Sequence, residues 1–138
     1  MMRLHGLVRG LTLAILVLMS AAAAQAQAQA GQDADYRLGL AYRNGDGVAR
    51  DPAAAVRSLR RAAERGVAPA MFILSHMLAE GEGTARDPVA ARRWLEAAVQ
   101  EEYPEALQEL AMEERDPARA AELLRLVGHA MQHRARDR

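Results

Sequence analysis

Two histidines near the end of the chain have the spacing of metal ligands. His129 and His133 are four residues apart, and that spacing places both imidazoles on one side of a helix, where they could share a zinc ion. A zinc site needs further ligands, and the preceding turn of this helix offers only Leu126. Positive charge is also favoured at the carboxyl end of any helix. We therefore predict surface histidines, no metal site and no cofactor.

Nucleophilic chemistry has equally little support in the sequence. Ser75 and His76 are adjacent, but neighbouring side chains on a helix diverge, so they cannot form a nucleophile–base pair. The chain contains no lysine, which excludes Schiff-base chemistry and a Ser–Lys pair. Because no convergent catalytic set is present, we predict that the protein is not an enzyme.

Acidic residues recur at every fourth position in the last third of the chain. They are Glu101, Glu105, Glu109 and Glu113, with Pro104 between the first two. This pattern predicts a solvated acidic ridge along a helix, and the alternative is a docking strip for a basic partner. His76 and Glu80 are also four residues apart, which predicts a surface pair on another helix.

A glycine pair, Gly45-x-Gly47, resembles a phosphate-binding loop at first sight. Such loops connect a strand to a helix, whereas the flanking residues here have helical periodicity. Residues 32–44 predict one helix, and Asp51-Pro52 opens another, with Asp as the N-cap and Pro in the first turn. The glycine pair therefore predicts a turn between two helices, where positive φ angles are needed.

The same arrangement returns 36 residues later, at Gly81-x-Gly83 followed by Asp87-Pro88. A period of this length indicates a stacked array of repeats. In the third unit Asp116-Pro117 comes seven residues early and the glycine turn is missing. We predict an all-α fold, an α/α superhelical repeat array of two full helix-turn-helix repeats and a degenerate third. The repeat domain spans 31–138, with repeat one at 33–69, repeat two at 70–105, and a degenerate repeat and cap at 106–138.

Residues 1–30 have the pattern of a secretory signal peptide. Arg3 and Arg9 precede an apolar run over 11–19, and an Ala/Gln stretch follows. Cleavage is predicted after Ala24, Ala26 or Ala30. We expect a periplasmic or secreted protein with no membrane span after cleavage. The mature chain would carry a formal charge of −2, and without a basic surplus we predict no nucleic-acid partner.

The repeat is similar to a known family. Repeat one contains Ala34-x-x-x-Leu38-Gly39-x-x-Tyr42-x-x-Gly45-x-Gly47, then Asp51 and the segment from Leu59 to Gly66. In this it resembles the Sel-one-like repeats, relatives of the tetratricopeptide repeats. The resemblance implies a right-handed α/α superhelix that binds proteins or peptides. Many exported bacterial members are adaptors in the periplasm.

The resemblance to tetratricopeptide repeats also implies a partner-binding groove, lined by the first helix of each unit. The candidate groove residues are Tyr36, Leu40, Arg43 and Asn44 in unit one, Phe72, His76 and Glu80 in unit two, and Gln108, Met112 and Arg115 in unit three. Aromatic, Met and Arg side chains are enriched in protein interfaces. For Phe72 and Met112 the alternative is that they seal neighbouring helices. Trp94 is predicted to be a packed ring.

The functional hypothesis is an exported repeat scaffold that binds a protein or peptide partner as a periplasmic adaptor. One alternative is a structural subunit of an envelope complex. Another is a hydrolase acting on cell-wall or β-lactam substrates, an activity discussed for some exported relatives. The sequence leaves open which partner and which face are used.

Overall fold

The computed structural model describes residue 27 and residues 34–136, and this part of the chain contains six α-helices and no strand. The helices are α1 (34–44), α2 (Pro52–Glu64), α3 (Ala68–Glu80), α4 (Pro88–Gln100), α5 (Pro104–Glu113) and α6 (Pro117–Arg136). Within the described residues, no helix combines the length and the apolar character needed to cross a membrane. The predicted signal peptide lies outside the described residues except for Gln27, so its cleavage stays a prediction.

The helices form three successive pairs, and the predicted all-α repeat fold is confirmed. In the first two pairs the glycine turn has the predicted backbone. Gly45 and Gly81 have φ angles of 81° and 76°, and Gly47 and Gly83 have 73° and 74°. Side chains with a Cβ rarely adopt this left-handed region, which explains why glycine occupies it.

An arginine closes each glycine turn in the same way. Arg50 donates from Nε to the backbone oxygen of Arg43 at 3.0 Å, and Arg86 donates from Nε to the oxygen of Ala79 at 2.9 Å. The last carbonyls of a helix have no partner within it. The arginine that follows the glycine pair therefore supplies a donor for the end of the preceding helix.

The aspartate of each Asp-Pro pair caps the next helix, as predicted. Asp51 Oδ1 accepts a hydrogen bond from the backbone N–H of Ala54, and Asp87 Oδ1 accepts one from Ala90, both at 2.9 Å. Replacing such a cap by alanine costs about 1 kcal/mol. The repeating sequence thus encodes a repeating set of local hydrogen bonds.

Helices α2, α3 and α4 enclose the larger of two apolar clusters. Leu59, Leu74 and Met77 are its largest fully buried side chains, and each buried side chain of this size contributes roughly 1.5–3 kcal/mol. Trp94 is half-buried against this cluster, which agrees with the prediction of a packed ring. The smaller cluster joins α5 and α6 through Leu107, Ala111, Leu123 and Ala130.

Gly39 allows α1 to lie close to α2. A methyl group at Gly39 would be 2.7 Å from Cγ of Leu59, a distance that forces the neighbour to move. Ser75 occupies the equivalent position in α3, where it is buried and its hydroxyl donates to the backbone oxygen of Phe72 at 2.7 Å. The hydroxyl is therefore satisfied inside the helix.

Leu38 is more exposed than its equivalent in the next repeat. Its side chain is 39% exposed, whereas Leu74, its equivalent 36 residues on, is fully buried. In α3 this position is covered by the preceding repeat, whereas the described residues include no repeat before α1. The periodicity placed Leu38 on the stacking face, but that face of the first repeat is uncovered.

The third unit has a short first helix and a long second helix. α5 contains 10 residues, while α2, α3 and α4 contain 13 each. α5 ends at Glu113, and α6 continues to Arg136. The pairing of Arg134 with Glu105, described below, accounts for the longer helix.

Candidate binding face

Three aromatic rings from repeats one and two lie together on the side formed by α1, α3 and the start of α5, which we call the binding face. Tyr36 and Phe72 hold the same position in their repeats, and Tyr103 precedes α5. The Phe72 ring is 5.5 Å from the ring of Tyr103 and 4.7 Å, edge to face, from the imidazole of His76. All three aromatic rings are half-buried against the core, so the packing fixes them while one side stays accessible.

Two carboxylates border these rings, and each has a basic partner. Glu105 binds Arg134 of α6 through two hydrogen bonds, at 2.9 and 3.2 Å. The guanidinium carbon of Arg134 is also 5.2 Å from the centre of the Tyr103 ring, a cation–π distance. Glu109 Oε2 lies 3.0 Å from Nε2 of His76. The face therefore combines aromatic rings with one Glu–Arg ion pair and one Glu–His contact.

The electrostatic environment is set largely by Glu105. Hydrogen bonding from Arg134 lowers the pKa of Glu105, so this carboxylate stays ionised well into the acid range. Burial raises the pKa of Tyr36 and of Tyr103, and the negative charge of Glu105 raises both further. Both phenols are consequently neutral hydrogen-bonding groups at physiological pH.

Two pockets adjoin the rings. One of about 430 Å³ opens beside Tyr103 and Arg134. The other, of about 170 Å³, lies beside His76 and Glu109 and is also lined by Pro88 at the start of α4. The second pocket lies between α3, α4 and the short α5.

The structure brings together only part of the predicted groove set. Tyr36, Phe72 and His76 belong to the ring cluster. Met112 is 79% exposed, which rules out the alternative that it seals two helices, whereas Phe72 both packs on the core and faces outward. The remaining predicted residues lie outside the cluster: Leu40 is half-buried, and Asn44, Glu80, Gln108 and Arg115 are at the surface.

Arg43 has a structural partner instead of a free guanidinium. Its Nη2 is 3.1 Å from Oε2 of Glu82 in the next glycine turn, and Arg50 reaches the other oxygen of the same carboxylate at 3.4 Å. Asn44 similarly donates to Asp46 within its own turn, at 3.3 Å. These predicted groove residues therefore stabilise the turns and the junction between repeats.

Three of the four carboxylates of the predicted acidic ridge have basic partners and remain partly or fully exposed. Glu105 and Glu109 are paired with Arg134 and His76, and Glu113 accepts a hydrogen bond from Nη1 of Arg92 at 2.6 Å. His76 accordingly pairs with Glu109 on the next unit and not with Glu80. The contacts of Glu109 and Glu113 join α5 to the second unit, and the contact of Glu105 joins α5 to α6, so spacing along one helix could not show them.

The candidate metal ligands form a pair and nothing larger. Nε2 of His129 and Nε2 of His133 are 3.3 Å apart. In the described part of the chain, no group of three or more His, Asp or Glu side chains could hold a metal ion. Ser75 is buried with its hydroxyl bonded to the backbone, which leaves it poorly placed as a nucleophile.

Sequence reasoning missed several residues of the face. Tyr103 lies 36 residues after Val67, so the repeat register could have placed it beside the first turn of α5. Glu105 and Glu109 were recognised only as part of a ridge. Arg134 carried no signal at all, because its contact with Glu105 spans 29 residues and depends on how α6 packs against α5.

Comparison with known families accounts for the repeating turn. The Sel1 repeat matches residues 32–67, 68–103 and 105–126, which together make up more than half of the chain. The chain belongs to the Sel1 repeat family. The resemblance seen in the sequence is thereby confirmed, and the third match ends within α6, as expected for a shortened unit. Comparison with curated proteins gave no match.

Two solved structures share the Sel1 repeat fold. A Sel1 repeat protein from Oxalobacter formigenes is 23% identical, with a TM-score of 0.67, over 72% of this chain and 43% of that protein. A protective antigen present in uropathogenic Escherichia coli strains, displaying an SLR fold, is 29% identical, with a TM-score of 0.63, over 76% of this chain and 24% of its own. The chain thus spans less than half the length of either protein.

Proposed function

We propose that this protein is an exported Sel1 repeat scaffold that binds a protein or peptide segment on the binding face and acts as an adaptor in the periplasm. The observation that carries the proposal is the cluster of Tyr36, Phe72 and Tyr103, which joins successive units on one side. Repeat arrays present extended surfaces of this kind to partners. Aromatic side chains that are held rigidly lose little entropy when a ligand packs on them.

The pairs bordering the rings indicate the chemistry of the segment. An apolar or aromatic side chain would pack on the rings, and a neighbouring basic group would bind Glu109. The His76–Glu109 pair is one-third exposed on each side, and an exposed pair of this kind is worth little by itself. A ligand cation can therefore replace the imidazole at small cost, whereas the Glu105–Arg134 pair is held by two hydrogen bonds.

Export is supported by the sequence of residues 1–30, with its basic start, apolar run and small residues. Alkaline phosphatase fused after residue 30 tests this, because the enzyme is active only when it reaches an oxidising compartment. We expect activity from the fusion and its loss when residues 11–19 are deleted. Equal activity with and without residues 11–19 would contradict export by this segment.

Peptide selection tests the binding face. Peptides selected from a random library on the purified protein would be labelled, and their affinity measured by fluorescence anisotropy. Truncation of Phe72 or Tyr103 to alanine should weaken binding by about tenfold or more, as for central aromatic residues of an interface. Arg57→Ala, at an exposed position of α2, is the matched control and should bind as the wild type does.

The decisive comparison is between the substitutions on the binding face and the control substitution on α2. If Phe72→Ala and Tyr103→Ala both keep wild-type affinity while their circular dichroism shows intact helices, the binding face is wrongly assigned. A selection that yields no binding peptide would argue for the alternative of a structural subunit.

A further inference from the structure

The second glycine turn makes two contacts with repeat one. One is an ion-pair contact through Glu82, and the other is close backbone packing at Gly83. Glu82 of that turn binds Arg43 and Arg50 of repeat one, at 3.1 and 3.4 Å. Gly83 lies against the start of α2, where a methyl group would be 2.3 Å from the carbonyl carbon and oxygen of Pro52. The second glycine turn thus sits on the beginning of α2.

The first glycine turn has the same parts without that neighbour. Asp46 holds the position of Glu82, and Gly47 holds the position of Gly83. Among the described residues, nothing lies within 4 Å of a methyl group placed on Gly47. Asp46 is exposed and accepts only the side-chain amide of Asn44 in that part of the chain. The first glycine turn thus has the residues of a junction with a preceding unit, and the described chain contains no such unit.

The apolar face of α1 is uncovered in the same way. Ala34 is exposed and Leu38 is 39% exposed, whereas their equivalents in α3, Ala70 and Leu74, are both fully buried. The difference shows which surface a preceding unit would cover. This first end of the array therefore presents a stacking face made for the second helix of another unit.

The other end of the array carries an exposed apolar stripe on α6. Its members are spaced three and four residues apart and include no charged group: Ala121, Leu124, Gly128, Met131 and Ala135. Leu124 is 53% and Met131 is 49% exposed, and no other element of the described chain comes within 4 Å of a methyl group placed on Gly128. The stripe lies beside the face that α6 packs on α5, which carries Leu123 and Ala130.

The start of α6 also keeps the residues on which the glycine turn of a following unit would pack. Arg115-Asp116-Pro117 repeats the Arg50-Asp51-Pro52 sequence of repeat one. Arg115 corresponds to Arg50 by its place before Asp-Pro, and it is exposed. In the described chain its side chain makes no hydrogen bond or ion pair. Opposite charges are therefore available at the two ends, with Asp46 at one and Arg115 at the other.

We infer that two copies of this chain associate end to end, with α1 and the first glycine turn of one copy packing on α6 of the other. Leu38 would cover the stripe at Leu124 and Met131, Gly47 would sit on Pro117, and Asp46 would bind Arg115. The occupant is a second copy because this contact continues the junction already present between repeats one and two. The inference goes beyond ligand binding and does not depend on the proposed function.

Such a contact is heterologous, since different surfaces of the two copies meet, and it can be repeated at both ends of every copy. The average mass measured by sedimentation should therefore rise continuously with protein concentration and pass the mass of a dimer. A symmetric pairing of two α6 helices would stop at the dimer. The two arrangements are thus distinguishable by mass alone.

Complementary variants give the sharper test. Leu38→Glu blocks the first end and Met131→Glu blocks the second, so each variant alone should lose association and remain monomeric. Mixed in equal amounts, they should form a complex of two chains and nothing larger, because each supplies one intact end. A wild type that stays monomeric would overturn the inference. It is also overturned if Leu38→Glu still dimerises by itself and forms no further complex when mixed with Met131→Glu.

Exchanging the charges of two exposed residues tests the same contact with variants that should fold as the wild type does. Asp46→Arg should weaken association by roughly fivefold at most, the size of an exposed ion pair, and Arg115→Asp should do the same. The double variant carries both exchanged charges and should recover wild-type association at low salt. No recovery in the double variant, with both single variants weakened, would place the contact elsewhere.

Discussion

Gly47 and Gly83 share one backbone conformation and differ in their surroundings. Their φ angles are 73° and 74°, so replacing either by alanine incurs the same cost of a left-handed residue, about 1–2 kcal/mol. The methyl group at Gly83 would also collide with the backbone of Pro52, whereas Gly47 has open space among the described residues. The two glycines are therefore a natural pair for separating backbone strain from packing.

We predict that Gly83→Ala lowers the free energy of unfolding by about 3–5 kcal/mol and Gly47→Ala by only about 1–2 kcal/mol. The difference measures the junction between repeats, because the strain is common to both. Urea denaturation followed by circular dichroism gives both values. Equal losses in the two variants would mean that Gly83 does not carry the junction.

Individual residues also show which features could be predicted from the sequence and which could not. The caps at Asp51 and Asp87 and the glycine conformations depend on neighbours a few residues away, and all were predictable. The exposure of Leu38 was not, because periodicity identifies an apolar face but not whether a repeat lies beneath it. The pairing of His76 with Glu109 was missed for a similar reason, since it joins two helices of different units.

At the scale of helices, the end of α6 is joined to the start of α5 by an ion pair, as Arg61 and Arg65 join the end of α2 to Asp35 at the start of α1. α6 has 20 residues, and Arg134 in its last turn binds Glu105 and lies over Tyr103. This contact holds the final turns of the helix next to the binding face. It also links the terminal helix to the side chains proposed to bind a ligand.

We predict that Arg134→Met loosens the end of α6 and lowers the free energy of unfolding by about 0.5–1 kcal/mol, the range of a partly exposed pair. Hydrogen exchange should be faster over residues 128–136 and unchanged in α2. The pKa of Glu105 is lowered in the folded state, so the pair stabilises the protein above the unfolded pKa of glutamate, and this stabilisation is lost as the pH falls through the folded value.

The control for this prediction is the pH dependence itself. Wild type and Arg134→Met should differ at neutral pH and converge in acid, once Glu105 is protonated in both. A stability difference that persists unchanged in strong acid would show that Arg134 acts through packing of its aliphatic part and not through Glu105.

The whole molecule divides into a larger apolar cluster over α2, α3 and α4 and a smaller one between α5 and α6, with Val99 packing against both. The sequence predicted the array, its period and the irregular third unit, because these are properties of a repeated segment. It did not predict the two clusters or the exposed stripe on α6, which depend on how much surface each unit leaves for the next. The site was predicted in part, because the register gives the correct helix but not the contacts across units.

The junction between repeats one and two also makes the chain extensible. Its contacts join the glycine turn of one unit to the unit before it. In a chain with a second copy of residues 68–103, the inserted turn would meet Arg86 and Pro88, which repeat Arg50 and Pro52, while Ala79 takes the place of Arg43. Each inserted copy would bring another Phe72, His76 and Tyr103 to the same side. The protein is in this respect a scaffold on which the number of ring clusters can be set by protein engineering, one 36-residue module at a time.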